Sequence, residues 1–239
     1  SFRRCLEHCG LRSVLETGAR FLLDPRSKHE PTLVSADDAD RARRVEFLCR
    51  VIDLASELGS DCVSLWSGVV RDGASREVAW SRLRSGLDKV VRHAEQRNVV
   101  IGFEPEPGML IDTMAAYEEL GGQFELPQFA LTLDLGHLHC QGELPIADQI
   151  ERYAARLVNV HIEDMRQGVH EHLMFGEGEM VFPPIMDALR RVGYEGGVHV
   201  ELSRHSHDGP NAASRAYEFL SPLMQHEVGG VARSCTGLS

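Results

Sequence analysis

Val99-Val100-Ile101-Gly102-Phe103-Glu104 sets a short apolar run against a terminal carboxylate, and the pattern recurs three times downstream. Phe129-Ala130-Leu131-Thr132-Leu133 runs into Asp134, Leu157-Val158-Asn159-Val160 into His161, and Gly197-Val198-His199-Val200 into Glu201. Runs this short, separated by helical patterns, read as buried parallel strands. In a barrel of such strands the C-terminal ends converge on one face, where this architecture keeps its chemistry. Two Glu, one Asp and one His meeting there make a hard, oxygen-rich donor set with one nitrogen, suited to a divalent cation.

One carboxylate at a strand end is commonly a helix N-cap or a solvated loop residue. Four polar groups at corresponding ends of four strands are harder to explain that way. Side chains alternate faces along a strand, so Glu104 shares a face with Gly102 and Val100, His161 with Asn159, and Glu201 with His199. Polar groups facing a barrel interior are costly unless they are paired or ligate something.

Outward from these runs, strand and helix patterns alternate, which favours an α/β fold with a parallel sheet. Residues 2–9 read as the tail of a helix, and Leu11–Leu15 as a strand ending at Glu16. Ala42, Val45, Leu48, Ile52, Ala55 and Leu58 recur at helical spacing over 37–58, and Gly59 stops that helix. Cys62–Leu65 is a strand ending at Trp66. Ser75 caps a helix to about Arg97, and further helices fall at 114–120, 146–155, 183–192 and 211–224. Residues 163–181 read as a long polar loop, and loops of that length tend to carry function, here as a lid. Six strands result. The expectation is a TIM (β/α)8-type barrel lacking its first two strands, a single domain over 1–225 with a flexible tail over 226–239. The start at Ser1 rather than Met fits N-terminal truncation.

With 239 residues, 43% of them hydrophobic, the chain can bury one sizeable core. The net charge of −11 argues against nucleic acid as the main partner. Cys5, Cys9, Cys49, Cys62, Cys140 and Cys235 form no CxxC pair, and Cys49 and Cys62 sit in apolar contexts, which suggests reduced thiols and a cytoplasmic location. No run approaches a membrane span and no signal peptide is evident.

Several residues flank the four strand ends. His137 follows Asp134 as a candidate substrate contact or support for the donors. Asp164 could hydrogen-bond a ligand imidazole or a substrate hydroxyl, and Arg204 could hold a substrate oxygen. Trp66 could stack on a sugar ring or simply pack. Gly176-Glu177-Gly178-Glu179 lacks the Lys-Ser/Thr of a phosphate loop and reads as a tight turn. No GxSxG or Cys-His arrangement suggests a covalent nucleophile, and no GxGxxG opens a helix.

At 102–106, 133–137, 159–164, 175–179 and 193–201 the sequence resembles the xylose-isomerase-like TIM barrels. That superfamily comprises sugar-phosphate isomerases and epimerases and also endonuclease IV (AP endonuclease family 2). The resemblance covers about residues 10–220. It implies one divalent metal ion (Mn, Mg, Co or Zn) held by Glu104, Asp134, His161 and Glu201. It implies that Glu104 and Glu201 also move the proton, through an enediolate of a sugar, sugar phosphate or related hydroxy-ketone. His137 and Arg204 would orient hydroxyls. The early strands that give endonuclease IV-like enzymes their extra histidines are absent, which together with the acidic charge disfavours DNA repair. Two alternatives remain: a metal-dependent dehydratase of an inosose-type substrate, and a non-catalytic metal-binding barrel. Expected partners are a small sugar-like molecule, neither nucleic acid nor membrane, and a second copy of the chain, since such barrels often associate.

Overall fold

Every residue of β2 (Val63–Leu65), β3 (Ile101–Phe103) and β4 (Phe129–Asp134) is buried. A strand buried on both faces must lie between two layers, and parallel sheets with crossover helices meet that demand. The computed structural model describes residues 2–124 and 127–225. It shows a six-stranded sheet in the order β1-β2-β3-β4-β5-β8, where β1 is Leu15–Glu16, β5 Leu157–Ile162 and β8 Val198–Val200. All five pairings are parallel. The expected tail over 226–239, with Cys235, lies outside the described residues.

The helices α1 (Phe2–Cys9), α2 (Asp38–Leu58), α3 (Arg76–Arg97), α4 (Met114–Gly121), α6 (Ile146–Tyr153), α7 (Phe182–Arg191) and α8 (Gly209–Gln225) follow the sequence pattern closely. Asp37 caps α2 by accepting from the N–H of Ala39 and Asp40, and Gly59 ends it at φ 69°. Ser75 caps α3, whose Leu83, Leu87, Val90 and Ala94 face the sheet. The result is an incomplete α/β barrel, a parallel sheet curled into a half-barrel with helices outside. Its two edge strands, β1 and β8, are the least buried of the six.

Two segments depart from the sequence reading. A helix, α5 (Leu135–Gln141), begins directly at Asp134, which is both the last residue of β4 and the N-cap of α5. Residues 163–181 are not one loop. They hold an antiparallel hairpin, β6 (Asp164–Arg166) and β7 (Val169–Leu173), turning at Gly168 with φ 74°. Neither face of β7 packs into an apolar core, so the alternation that marks a strand is missing from its sequence. Cys62 is buried, and desolvation pushes its thiol up to about 12. Cys49 is partly buried, whereas Cys5 and Cys9 are exposed. No helix among the described residues is long and apolar enough to cross a membrane.

Candidate active site

The register of the sheet sets the site. Asp134 pairs with His161, the Glu201 N–H donates to Ile162, and the Glu104 N–H donates to Leu65, so the strand ends reach one level. There Glu104, Asp134, His161 and Glu201 each offer a donor atom, all within 4.8 Å of one another. The His161 Nδ1 stands 3.1 Å from Glu104 Oε1, 3.1 Å from Glu201 Oε2 and 3.9 Å from Asp134 Oδ2. Asp134 uses Oδ1 to accept from the His137 N–H at 2.9 Å, while its buried Oδ2 has no hydrogen-bond partner among the described residues.

Glu16, at the end of β1, completes the geometry. Its Oε1 lies 3.0 Å from His161 Nε2, beside Asn159 Nδ2 at 3.1 Å, so the tautomer with its proton on Nε2 donates to Glu16 and leaves Nδ1 facing the three carboxylates. A carboxylate behind an imidazole orients a metal ligand and raises its basicity, and its loss typically costs 10- to 100-fold in metal affinity. Glu16→Gln is therefore expected to weaken binding of Mn²⁺ by roughly 10- to 100-fold in calorimetric titration. Unchanged affinity would show that Glu16 does not orient His161.

The electrostatics fit a cation. Desolvation pushes the Glu104 carboxyl up to about 7, and raises Glu106 and Glu163 well above the usual carboxylate range. Desolvation also acts against ionised Asp134, but the nearby His137, His161 and His172 outweigh it and hold Asp134 down at about 2. Glu201 ends below its ordinary value, because the His161 hydrogen bond overcomes desolvation. His161 is desolvated too, yet Glu104, Glu16 and Glu201 raise it well above its ordinary value. One imidazolium among so many carboxyl groups leaves a buried excess of negative potential, which a divalent cation would neutralise. Oxygen-rich donors, an orphaned Asp134 oxygen and an imidazole oriented from behind all suit such an ion.

This arrangement makes stability depend on pH in the chelator-treated protein. Glu104 has a folded value near 7, above its unfolded value, so its contribution is full below about pH 4.5 and is lost as pH rises through about 7. The raised Glu106, Glu163 and His161 act in the same direction, the lowered Asp134 acts only in strong acid, and the lowered His137, His170 and His199 act oppositely, but only below about pH 6.5, where the unfolded imidazoles are charged. Stabilisation from Glu104 alone is at most about 3 kcal/mol. Above about pH 6.5, where the raised groups act unopposed, the thermal unfolding midpoint of the metal-free protein is expected to fall towards pH 7.5, and added Mn²⁺ to restore it most at the higher pH. A midpoint that rises over that interval would contradict the assignment.

A cavity of about 730 Å³ opens onto these groups, lined by Glu16, Trp66, Glu104, His161, Glu201 and Arg204 among others. Trp66 is buried and presents its edge to His29, while the Arg44 guanidinium covers one ring face at 4.7 Å. Arg204 sits at the exposed rim and pairs with Glu171. His137 lies beneath the donors, not against the cavity wall, with Nδ1 3.3 Å from the Pro105 carbonyl and Nε2 3.6 Å from Asp134.

Asp164 requires a correction. Its carboxylate reaches neither a ligand imidazole nor the cavity. Oδ1 accepts from the N–H of Met165 and Met180, and Oδ2 from those of Gly176 and Gly178, so the turn over 174–180 is wrapped around it. Gly178 lies so close that an added Cβ would strike the Asp164 carboxylate. The expected tight turn at 176–179 is thus held by Asp164.

Glu16, Glu106, Glu163, His170 and His172 reach the site without having been singled out for it by sequence. Glu163 is fully buried beside Asp134, and a Cβ on Gly136 would collide with it. His170 and His172 occupy alternate positions of β7 and so share a face. That period-two His-x-His is the signal available in the sequence.

A parallel α/β half-barrel with a Glu-Asp-His-Glu cluster at its strand ends has the design of a barrel built for chemistry at that face. The family model described as Xylose isomerase-like TIM barrel matches residues 2–223, and the chain belongs to that family. The chain is 26% identical over 216 residues to the L-ribulose-5-phosphate 3-epimerase UlaE of Escherichia coli, covering 90% of this chain and 76% of the relative. A solved D-tagatose 3-epimerase-like protein superposes with a TM-score of 0.74 at 21% identity, covering 93% of this chain and 82% of the other. A solved L-ribulose 3-epimerase superposes with a TM-score of 0.72 at 21% identity, with coverage of 93% and 78%.

Proposed function

We propose that the protein is a divalent-metal-dependent epimerase or isomerase of a ketose or ketose phosphate. The observation that carries this is the convergence of Glu104, Asp134, His161 and Glu201 within 4.8 Å at the floor of an open cavity. The similarity to the ribulose-phosphate epimerase, spread over most of both chains, supports the substrate class. Glu104, Asp134, His161 and Glu201 would hold the cation, whose Lewis acidity would lower the barrier to removing a proton beside a carbonyl.

The chain's own residues handle the proton. Glu104 and Glu201 come from β3 and from the end of β8, three places apart in the sheet, so they approach a bound substrate from different sides. One carboxylate takes the proton from the carbon next to the carbonyl, and the C–H electron pair moves to form the enediolate. The other carboxyl then donates a proton, to the opposite face for epimerisation or to the next carbon for isomerisation. Glu201 is partly exposed to the cavity and is held ionised by His161, which suits the accepting role. Glu104, buried on the other side of the cluster, would return the proton it or the substrate carries to the facing carbon. Trp66, stiffened by Arg44, forms an apolar wall, and Arg204 lies at the mouth.

The test is exchange of solvent deuterium into a panel of ketoses and ketose phosphates with Mn²⁺ present. Incorporation at the carbon beside the carbonyl, with a new epimer or aldose, is the expected result. Loss of water from the substrate would redirect the reading to a dehydratase. Metal-dependent sugar binding without any exchange would sink catalysis and leave a binding barrel.

A further inference from the structure

Carboxylates crowd the floor of the cavity, but one of its walls carries the opposite charge. Arg20, Lys28 and His29 all belong to the segment that follows β1, and all line the cavity. That segment is closed on itself. The His29 N–H donates to the Arg20 carbonyl, and the Arg20 N–H donates to His29 Nδ1 at 3.1 Å. Arg44 holds its base by donating to the Thr17 carbonyl at 3.0 Å. Arg20 at φ 47° and His29 at φ 68° both stand in the left-handed region. That conformation is costly for a residue with a Cβ, and such residues collect at ligand clamps.

The donors of this wall are uncommitted. Neither Arg20 nor Lys28 forms an ion pair among the described residues, because the nearby Glu30 is taken by Arg71 and Ser35. Arg204, also on the cavity wall, is spent on Glu171. His29 accepts at Nδ1, so the neutral ring carries its proton on Nε2, and no acceptor among the described residues takes that proton. Burial, then Lys28, Arg44 and Arg20, push this imidazole below its ordinary value and keep it neutral.

We propose that Arg20, Lys28 and the His29 Nε2–H form a phosphate subsite, so that the substrate is a ketose with a phosphate at the end remote from its carbonyl. The proposal rests on the epimerase reading and chooses within it. A phosphate monoester is close to dianionic at neutral pH and offers three acceptor oxygens. A guanidinium fork, an ammonium and a neutral N–H match it in charge and in donors. A terminal carboxylate, with one charge, would leave one of the two cations without a partner. Glu104 and Glu201 repel a phosphate placed near them, so the phosphate goes to the cationic wall and the carbonyl end to the acidic floor. The subsite thereby sets which carbon faces the two carboxylates that move the proton. Binding energy from a group remote from the reacting atoms is spent on that positioning.

The test compares each ketose phosphate with its unphosphorylated parent, beginning with L-ribulose 5-phosphate and L-ribulose, by calorimetric titration into the Mn²⁺-loaded protein. The phosphorylated sugar is expected to bind at least about 100-fold more tightly, as two charge-assisted contacts allow. Arg20→Gln and Lys28→Gln are each expected to cut that ratio by about tenfold or more, and the double variant to abolish it. Equal affinity within every pair, or a preference that survives in the double variant, would overturn the subsite. A sugar with a terminal carboxylate bound as tightly as its phosphate counterpart would overturn the assignment to phosphate. Should the double variant unfold, anomalous scattering from a tungstate-soaked crystal of the parent decides. A peak beside Arg20 and Lys28 supports the subsite, and a peak only at the Glu-Asp-His-Glu cluster refutes it. Deuterium exchange separates this proposal from the reading it rests on. A phosphate preference lost in the variants, without exchange into any ketose, would sink the epimerase reading while the subsite stood. Exchange into ketoses with no phosphate preference would sink the subsite alone.

Discussion

Glu201→Gln is expected to lower deuterium exchange into the substrate by about 10²- to 10⁴-fold, the usual contribution of a positioned general base. Glutamine matches the shape of Glu201 and still offers an amide oxygen to the donor set, but it cannot take a proton. The parent carboxylate lies 3.1 Å from His161 Nδ1 and stays ionised, so the variant removes basicity with little change in packing. Metal content must be measured beside the rate, because Glu201 also belongs to the donor set. A large loss of exchange with the metal retained at saturating Mn²⁺ would place Glu201 in proton transfer. Exchange within a few-fold of the parent would remove it from that role. Loss restored in full by higher Mn²⁺ would make it a ligand only.

Asp164→Ala is expected to cost about 3–5 kcal/mol of stability, since it deprives four backbone N–H groups of one acceptor and buried orphan donors cost about 1–3 kcal/mol each. Met165 and Met180 are buried, so their N–H groups cannot turn to bulk water, whereas the Gly176 N–H has more access to it. For a chain of this length the loss corresponds to a fall of roughly 10 °C in the unfolding midpoint. Asp164→Asn keeps one acceptor oxygen and is expected to lose about half as much. Thermal denaturation checks both. A loss below about 1 kcal/mol in the alanine variant would mean that the turn finds other partners. Metal binding at His161 is expected to survive in Asp164→Asn, because Asp164 contacts none of the four donors.

The barrel-type fold could be read from the chain because it rests on local rules. Buried parallel strands are short apolar runs, amphipathic helices repeat at 3.6, and Asp37, Ser75 and Gly59 are ordinary helix punctuation. The four strand-end donors were legible for the same reason: a polar residue that ends an apolar run stands out, and parallel strands deliver their ends to one face. What lay beyond sequence was every contact made by direction and not by position. Glu16 and Trp66 end strands in the same way, yet only the curl of the sheet turns Glu16 onto His161, across 145 residues. Asp164 follows Glu163 in the chain, but strand alternation sends Glu163 inward towards Asp134 and Asp164 outward to the turn at 176–180. The β7 histidines face a polar site, so no apolar periodicity announced their strand. Sequence alone determined which residues end the strands, because strand formation is driven by local burial. Tertiary structure alone decided which of them meet, because hydrogen bonds and ion contacts require a few ångströms of approach that only the closed register of the sheet provides.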